Sequence, residues 1–390
     1  MIHLIVRTVR VVAVLGCVSS CLYYLLCLWS AKKFLRANEE SGRADVKHDL
    51  PPVSILKPLK GTDPEIYESF KSHCLQDYPE YEIIFGVSDP ADPAVAGVER
   101  LQREFPSHAI SLVVCSNILG ANVKVSNLEQ MMAASRYEHI VVNDSDIRVE
   151  RDYLQRIVPP LASEHVGMVT SLYRGIAAAT LGSQLESLGI STDFCASVLA
   201  ARQLEGGVRF GLGSTLAFRR RDLDRIGGFK SFVDFLADDY ELGRRIAGLG
   251  LKIVLSDVVV ETHLPAYDFI GFLAHQMRWA RGVRDARLGG YLGLVSTFGL
   301  MWALVTLIAS GAATWSWALL VAMLLMRFAV ATVVGVTVLQ DRQVVKLLWL
   351  LPLRDLVAVG IWAASFFGRT VSWRGDRFLL RDGRLFPINH

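Results

Sequence analysis

Two carboxylates close an apolar run at His139-Ile-Val-Val-Asn-Asp144-Ser-Asp146. Ile140 to Val142 reads as a buried strand, so Asp144 and Asp146 stand where it leaves its sheet. Open α/β sheets bind ligands at that edge. Acids one residue apart there can share Mg²⁺ or Mn²⁺, hard cations that take oxygen from carboxylates and substrate phosphates. The competing reading is a turn or helix cap beside Arg148. Further on, Asp239 of the Asp238-Asp239 pair suits acceptance of a proton from an alcohol, which needs a carboxylate only modestly more basic than ordinary. Two acids opening a helix also suit its macrodipole. His275-Gln-Met-Arg278-Trp279 then offers a cation and an indole ring. Together these residues describe a site for a diphosphate-bearing substrate beside a membrane.

The elements that position them alternate. Val53 to Leu56 reads as a strand running into Lys57-Pro-Leu-Lys60-Gly61, and Pro64 to Leu75 as a helix with proline in its first turn. Tyr81 to Val87 is a second strand, Ala94 to Glu104 a helix, and Ile110 to Cys115 a third strand. Strand and helix in alternation predict a parallel sheet, with Lys57, Asp89 and Asp144 to Asp146 gathered along one edge. Asp89 either accepts hydrogen bonds from a base or ribose or caps the turn at Pro90. Lys124, in Gly120-Ala-Asn-Val-Lys124-Val-Ser-Asn127, can meet phosphates as a point charge, although most such lysines are simply solvated. Gly211 to Phe218 reads as a small-residue turn entering a strand. Leu242, Ile246 and Leu249 recur at helical spacing behind Asp238-Asp239. His263 fits a further metal ligand or a structural histidine at a strand end.

Of the 390 residues 52% are hydrophobic, and the excess lies at the two ends, which argues for a membrane protein rather than a soluble one. Val11 to Trp29 carries no charge and comes close to the roughly 20 residues that cross a bilayer. We expect an N-terminal anchor over 8–30, a soluble domain over 50–265, interfacial helices over 266–290, a C-terminal membrane region over 291–367 and a basic tail over 368–390. Within the membrane region, Tyr291 to Ala313 and Trp315 to Leu339 read as full spans, and Val344 to Phe367, broken by Pro352 and Arg354-Asp355, as a re-entrant third. Lys32, Lys33, Arg36 and Arg43 place the soluble domain on the cytoplasmic side, and the tail's arginines favour the same side. Three C-terminal spans would put that tail on the other side. The tail arginines suit anionic lipid headgroups. A net charge of +3 gives no footing for nucleic acid, and the six cysteines show neither metal-ligand nor disulfide spacing.

In this order the motifs resemble the ceramide glucosyltransferases, membrane-bound inverting GT-A glycosyltransferases. The likeness runs through Ser54-Ile-Leu-Lys57-Pro-Leu-Lys60-Gly61, Asp89-Pro-Ala-Asp92, Lys124-x-x-Asn127, Asp144-Ser-Asp146-Ile-Arg148, Asp239-Tyr240, Arg278-Trp279 and Ser372-Trp373-Arg374. It implies a GT-A α/β domain for a nucleotide-diphospho-sugar, flanked by N- and C-terminal transmembrane helices. It implies a UDP-sugar bound through Lys57, Asp89, Lys124 and Asp144, with a divalent metal on Asp144 and Asp146. Asp239 would be the base, with Arg278, Trp279 and His275 at the leaving diphosphate and the acceptor. Where the family pattern usually has Gln or Arg, this chain has His275. A bacterial branch that glycosylates hopanoids, including with UDP-N-acetylglucosamine, resembles the chain there, so the implied acceptor is a ceramide or a hopanoid and the implied setting a bacterial inner membrane.

Rival classes fit less of the chain. A processive polysaccharide synthase shares the acids and Arg-Trp but needs more spans and the usual Gln. A phosphatase with an Asp nucleophile needs a Thr where Ile147-Arg148 stand. A lipid-binding or transport protein explains the spans but has no use for four placed acids.

Overall fold

Runs of Val, Ile and Leu make β1 (Val53–Pro58), β2 (Tyr81–Val87) and β4 (His139–Val142) strands that can be buried on both faces, the pattern of a parallel sheet covered by helices. The computed structural model describes residues 1–42, 50–373 and 375–388, so Arg43 and Arg374 lie outside the described residues. With β3 (Ala109–Val114), β5 (Ile147–Arg148), β6 (Val166–Ile176), β7 (Leu216–Arg219) and β8 (Lys252–His263), they form one eight-stranded sheet in the order β3-β2-β1-β4-β7-β6-β8-β5.

The first half is parallel, as the alternation predicts: β1 pairs with β2 and with β4, and β2 with β3. The second half departs from that expectation. β7 runs antiparallel to both β4 and β6, and β5 antiparallel to β8, so the sheet is mixed. The reason is local: β7 is entered from the Gly211 to Thr215 turn, which needs no crossover helix to set it beside β4. β1 extends through Pro58, so Lys57 belongs to the strand rather than to the loop after it.

The chain divides into two compact units that cut across the expected 50–265 segment. The sheet unit comprises Gly42–Ile176, Glu205–Pro265 and Thr370–His390. Its last piece, read from sequence as a basic tail, folds as a three-stranded antiparallel sheet of β9 (Thr370–Trp373), β10 (Asp376–Arg381) and β11 (Arg384–Pro387). Val371, Phe378, Leu380 and Leu385 pack there against Ala121 and Leu236.

The helical unit comprises Met1–Ser41, Ala177–Leu204 and Ala266–Arg369. Its first helix is longer than the expected anchor, running Ile2–Gly42. Among the described residues, two helices are long and apolar enough to cross a membrane, Ile2–Glu39 and Thr314–Val338. The expected span from Tyr291 is instead a pair, Leu288–Thr297 and Gly299–Ala309, bent by 52° at Phe298. Leu351–Ser365 has 15 residues, a rise of about 22 Å against a hydrocarbon core of about 30 Å. Arg327, on the Thr314–Ala331 helix, is 4% exposed and turns inward, binding Asp355 at 2.9 Å and Asp193 at 2.5 Å. That is the interior placement that an arginine in a hydrophobic span requires.

Candidate active site

Because β1, β2 and β4 are parallel, their ends deliver Lys57, Asp89 and Asp144 to one edge of the sheet. Lys57 is completely buried and donates from Nζ to the carbonyl of Asp144 at 3.0 Å. Burial pushes its ammonium down to about 7, against the pull of Asp146 and Asp144. It therefore supports Asp144 chiefly through the hydrogen bond to its carbonyl.

Asp144 is the more open of the two acids. Asp146 is partly buried, and its Oδ2 accepts from the hydroxyl of Thr262, which the β5–β8 pairing brings opposite Ile147. Burial, and then the charge of Asp144, push Asp146 up to about 6. Ser145, between them, donates to Asp63 at 2.6 Å.

The helix Val123–Met132 begins at Asn122, whose side chain accepts from Val125 N at 3.2 Å. That places Lys124 in the first turn, where a cation opposes the helix dipole. Carboxylates compensate: Lys124 Nζ is 2.6 Å from Asp144 and 3.0 Å from Asp238. Burial works against its charge, but Asp144, Asp238 and Asp239 outweigh it and hold the amine above the ordinary lysine range.

Asp239 opens the helix Asp238–Gly248. Its Oδ2 accepts from Gly213 N at 2.8 Å and its Oδ1 from Tyr240 N at 2.7 Å. Burial, then Asp238, push it up to about 6, while Lys124 pulls the other way. Gly213 joins the two acid sites, since its carbonyl accepts from Asp144 N at 3.4 Å. A methyl group at 213 would stand 2.9 Å from Asp144 Oδ2 and 3.4 Å from Asp239 Oδ2. The first approach is too close and would turn the Asp144 carboxylate aside, whereas the second is an ordinary contact.

The loop before Asp238 is tied on two sides. Asn122 donates to Phe235 O at 2.7 Å, and Ala121 N donates to Asp234 at 2.9 Å. From the tail, Leu385 N donates to Asp234 O at 2.7 Å, and Gly383 O accepts from Leu236 N at 3.0 Å. Arg384 lies 5.1 Å over the Phe235 ring. The tail strands therefore brace the approach to Asp239.

The structure thus brings together Lys57, Lys124, Asp144, Asp146 and Asp239. Asp89 stands apart from that group on the exposed β2 loop, where its Oδ1 accepts from Ala91 N at 2.8 Å in a turn-capping contact. His263 ends β8 with its Nε2 buried and unpartnered. Thr262, Gly213 and Asp63 escaped the sequence reading, because each reaches the acids through a long-range contact.

Among the described residues no group of three or more His, Cys, Asp or Glu is arranged to hold a metal. The oxygen donors of Asp144 and Asp146 nevertheless fit Mg²⁺ or Mn²⁺, which one or two carboxylates hold when phosphates and water complete the shell.

The helical unit carries the remaining expected residues on the helix Phe269–Ala286. His275 Nδ1 lies 2.6 Å from Glu186 Oε1. Its ring stacks on Tyr267 at 5.4 Å and meets Trp279 at 5.5 Å, and Trp279 meets Phe194 edge-on at 6.1 Å. Arg278 lies one turn on from His275.

The chain is similar to known glycosyltransferases. The chain is 28% identical over 239 residues to ceramide glucosyltransferase 3 of Caenorhabditis elegans, covering 60% of this chain and 52% of that protein. It is 35% identical over 114 residues to the ceramide glucosyltransferase of Komagataella phaffii, covering 28% and 22%. The chain spans about half the length of the worm relatives it matches. Among solved structures, the mannosyltransferase PcManGT from Pyrobaculum calidifontis, in complex with GDP-Man and Mn²⁺, has a TM-score of 0.56 at 21% identity, covering 92% of this chain and 99% of that one. That likeness is one of fold, the GT-A fold the resemblance implied. The family model for glycosyl transferase family 21 matches residues 12–386, and with it the chain is a member of that family of glycosyltransferases.

Proposed function

We propose that this glycosyltransferase moves a hexose from a UDP-sugar to the hydroxyl of a membrane lipid with inversion, as a ceramide glucosyltransferase-like enzyme. The observation that carries the reading is the Asp144–Lys124–Asp238–Asp239 cluster at the sheet edge, with Gly213 bonded between its two ends. Asp239 accepts the proton of the lipid hydroxyl. The freed oxygen attacks the anomeric carbon, the bond from that carbon to the diphosphate breaks, and UDP leaves with the electron pair. Lys57 holds Asp144 from below, and Lys124 supplies positive charge beside the carboxylates. A divalent cation on Asp144 and Asp146 would add Lewis-acid stabilisation of the diphosphate. The resemblance assigns the same leaving charge to Arg278 and the acceptor to Trp279, both on the helix Phe269–Ala286. Asp89 binds the nucleoside from its exposed loop.

The acceptor is a ceramide in this reading, and His275 keeps a hopanoid as the second candidate. The sheet unit faces the cytoplasm of a bacterial inner membrane, the side on which nucleotide-sugars are made. A transfer assay on protein in lipid, with Mn²⁺ or Mg²⁺ and separate UDP-sugars, tests this against ceramide and a polyol hopanoid, with products weighed by mass spectrometry. Glycosylated ceramide is the expected product. A glycosylated hopanoid would replace the acceptor and keep the chemistry, and no turnover of any donor would end the enzyme reading.

A further inference from the structure

Several polar groups meet inside the helical unit. Glu186, on the helix Leu181–Gly189, is 1% exposed, and its Oε2 has no hydrogen-bond partner. Its other oxygen faces His275 Nδ1 at 2.6 Å. Arg354, buried on the helix Leu351–Ser365, donates from Nε to Leu185 O at 3.2 Å and from Nη2 to Gln276 Oε1 at 3.3 Å. Those partners are the chain neighbours of Glu186 and His275. Arg354 Nη1 is also buried without a partner.

An orphan carboxylate oxygen and an orphan guanidinium N–H are each costly to bury, and native proteins pair nearly all such groups. Here Glu186 Oε2, Arg354 Nη1 and the Nδ1 of His275 beside Glu186 are all left open, and Glu186 and Arg354 share two neighbouring contacts. Tyr267, Trp279 and Phe194 add aromatic surface beside them.

We propose that Glu186 and Arg354 recognise the headgroup of a neutral, hydroxyl-bearing membrane lipid. A hydroxyl of the lipid donates to Glu186 Oε2, and a second oxygen of the same headgroup accepts from Arg354 Nη1. His275 is the positioning residue: its Nδ1 lies 2.6 Å from the other Glu186 oxygen, close beside it but without a hydrogen bond. Because the site brings its own opposite charges, a neutral headgroup suits it better than an anionic phospholipid. This rests on the lipid-glycosylating reading above and names how its acceptor is held.

The full chain in detergent is titrated, without donor, with radiolabelled short-chain ceramide and with a polyol hopanoid. We expect saturable binding of one of them. Glu186→Gln and Arg354→Lys should each weaken it at least about tenfold, the loss of one charged hydrogen bond. In turnover the acceptor KM should rise while the donor KM stays, a split that a general loss of structure would not give. Thermal unfolding checks each variant, and Glu186→Asp carries the test if Arg354→Lys is unfolded. Binding of neither lipid by the wild type, or unaltered binding by the Glu186 variants, overturns the proposal. Unaltered binding with transfer intact would remove this site alone. Binding that depends on Glu186 with no sugar transfer would keep the site and remove the transferase reading.

Discussion

The two units bury charge in different ways. At the sheet edge, Lys124 lies between Asp144 and Asp238, Asp239 takes two backbone N–H groups, and Asp146 takes a hydroxyl. The carboxylates there are held by the protein and kept in place. In the helical unit, Arg327 is likewise satisfied by Asp193 and Asp355, yet a few residues away Glu186 and Arg354 each keep a buried atom unmatched. The difference separates two tasks. A group that must act on a proton needs a fixed direction and an adjusted basicity. A group that must recognise something needs capacity left over.

The strongest way to sharpen that contrast is Asp239→Asn. The amide keeps the shape but cannot take a proton, and we expect kcat to fall by about 10³-fold with donor affinity retained. Substantial residual turnover with a sound fold would give the base role to another residue. The helical unit should respond in stability instead. Arg327→Met takes from Asp193 and Asp355 their nearest cation, leaving only Arg354, 3.7 Å from Asp193, and should cost about 3 kcal/mol, read as a lowered thermal midpoint in detergent. A midpoint equal to that of the wild type would mean the pair is dispensable to folding.

Gly213→Ala tests whether the acids need their spacing. The added methyl crowds Asp144 Oδ2 at 2.9 Å, and turning that carboxylate aside should lower kcat by about 100-fold. If turnover holds, the turn yields more easily than its contacts imply. The mildest perturbation is pH. In the proposed mechanism Asp239 acts deprotonated, and burial pushes it up to about 6, so protons would compete with that role below this value. The profile of kcat/KM should fall about tenfold per unit as pH drops below about 6 and level off above it. A limb at the ordinary aspartate value would show that burial does not raise this carboxylate in the free enzyme.

Much of the sheet edge was legible because it rests on local patterns. Apolar runs of strand length marked β1, β2 and β4, and Asp144, Asp146 and Asp239 stood out as acids at the ends of such elements. What the sequence hid depends on pairing between distant segments. Nothing around Thr262 signals that β8 pairs with β5 and brings its hydroxyl to Asp146. Gly213 reads as one small residue among several, and only its placement between two carboxylates gives it meaning. Glu186 left a trace, an acid between Leu185 and Leu188 on an apolar helix, but its partner is almost ninety residues away. The tail read as charge because its arginines dominate the composition. Its packing rests instead on alternate apolar residues, Phe378 and Leu380, that turn to the opposite face.

The strands at the C-terminal end also settle a matter of parity. A compact body cannot lie on both sides of a bilayer, and one body holds β8, which ends at His263, and β9, which starts at Thr370. Whatever passes through the bilayer between those two points must therefore do so an even number of times. Thr314–Val338 crossing by itself would strand the tail on the wrong side. Of the other described segments, Leu351–Ser365 has 15 residues and is short for a crossing, while the bent pair Leu288–Thr297 and Gly299–Ala309 has the length and apolar character of one span broken at Phe298. If Thr314–Val338 crosses, that pair is the segment available to return the chain.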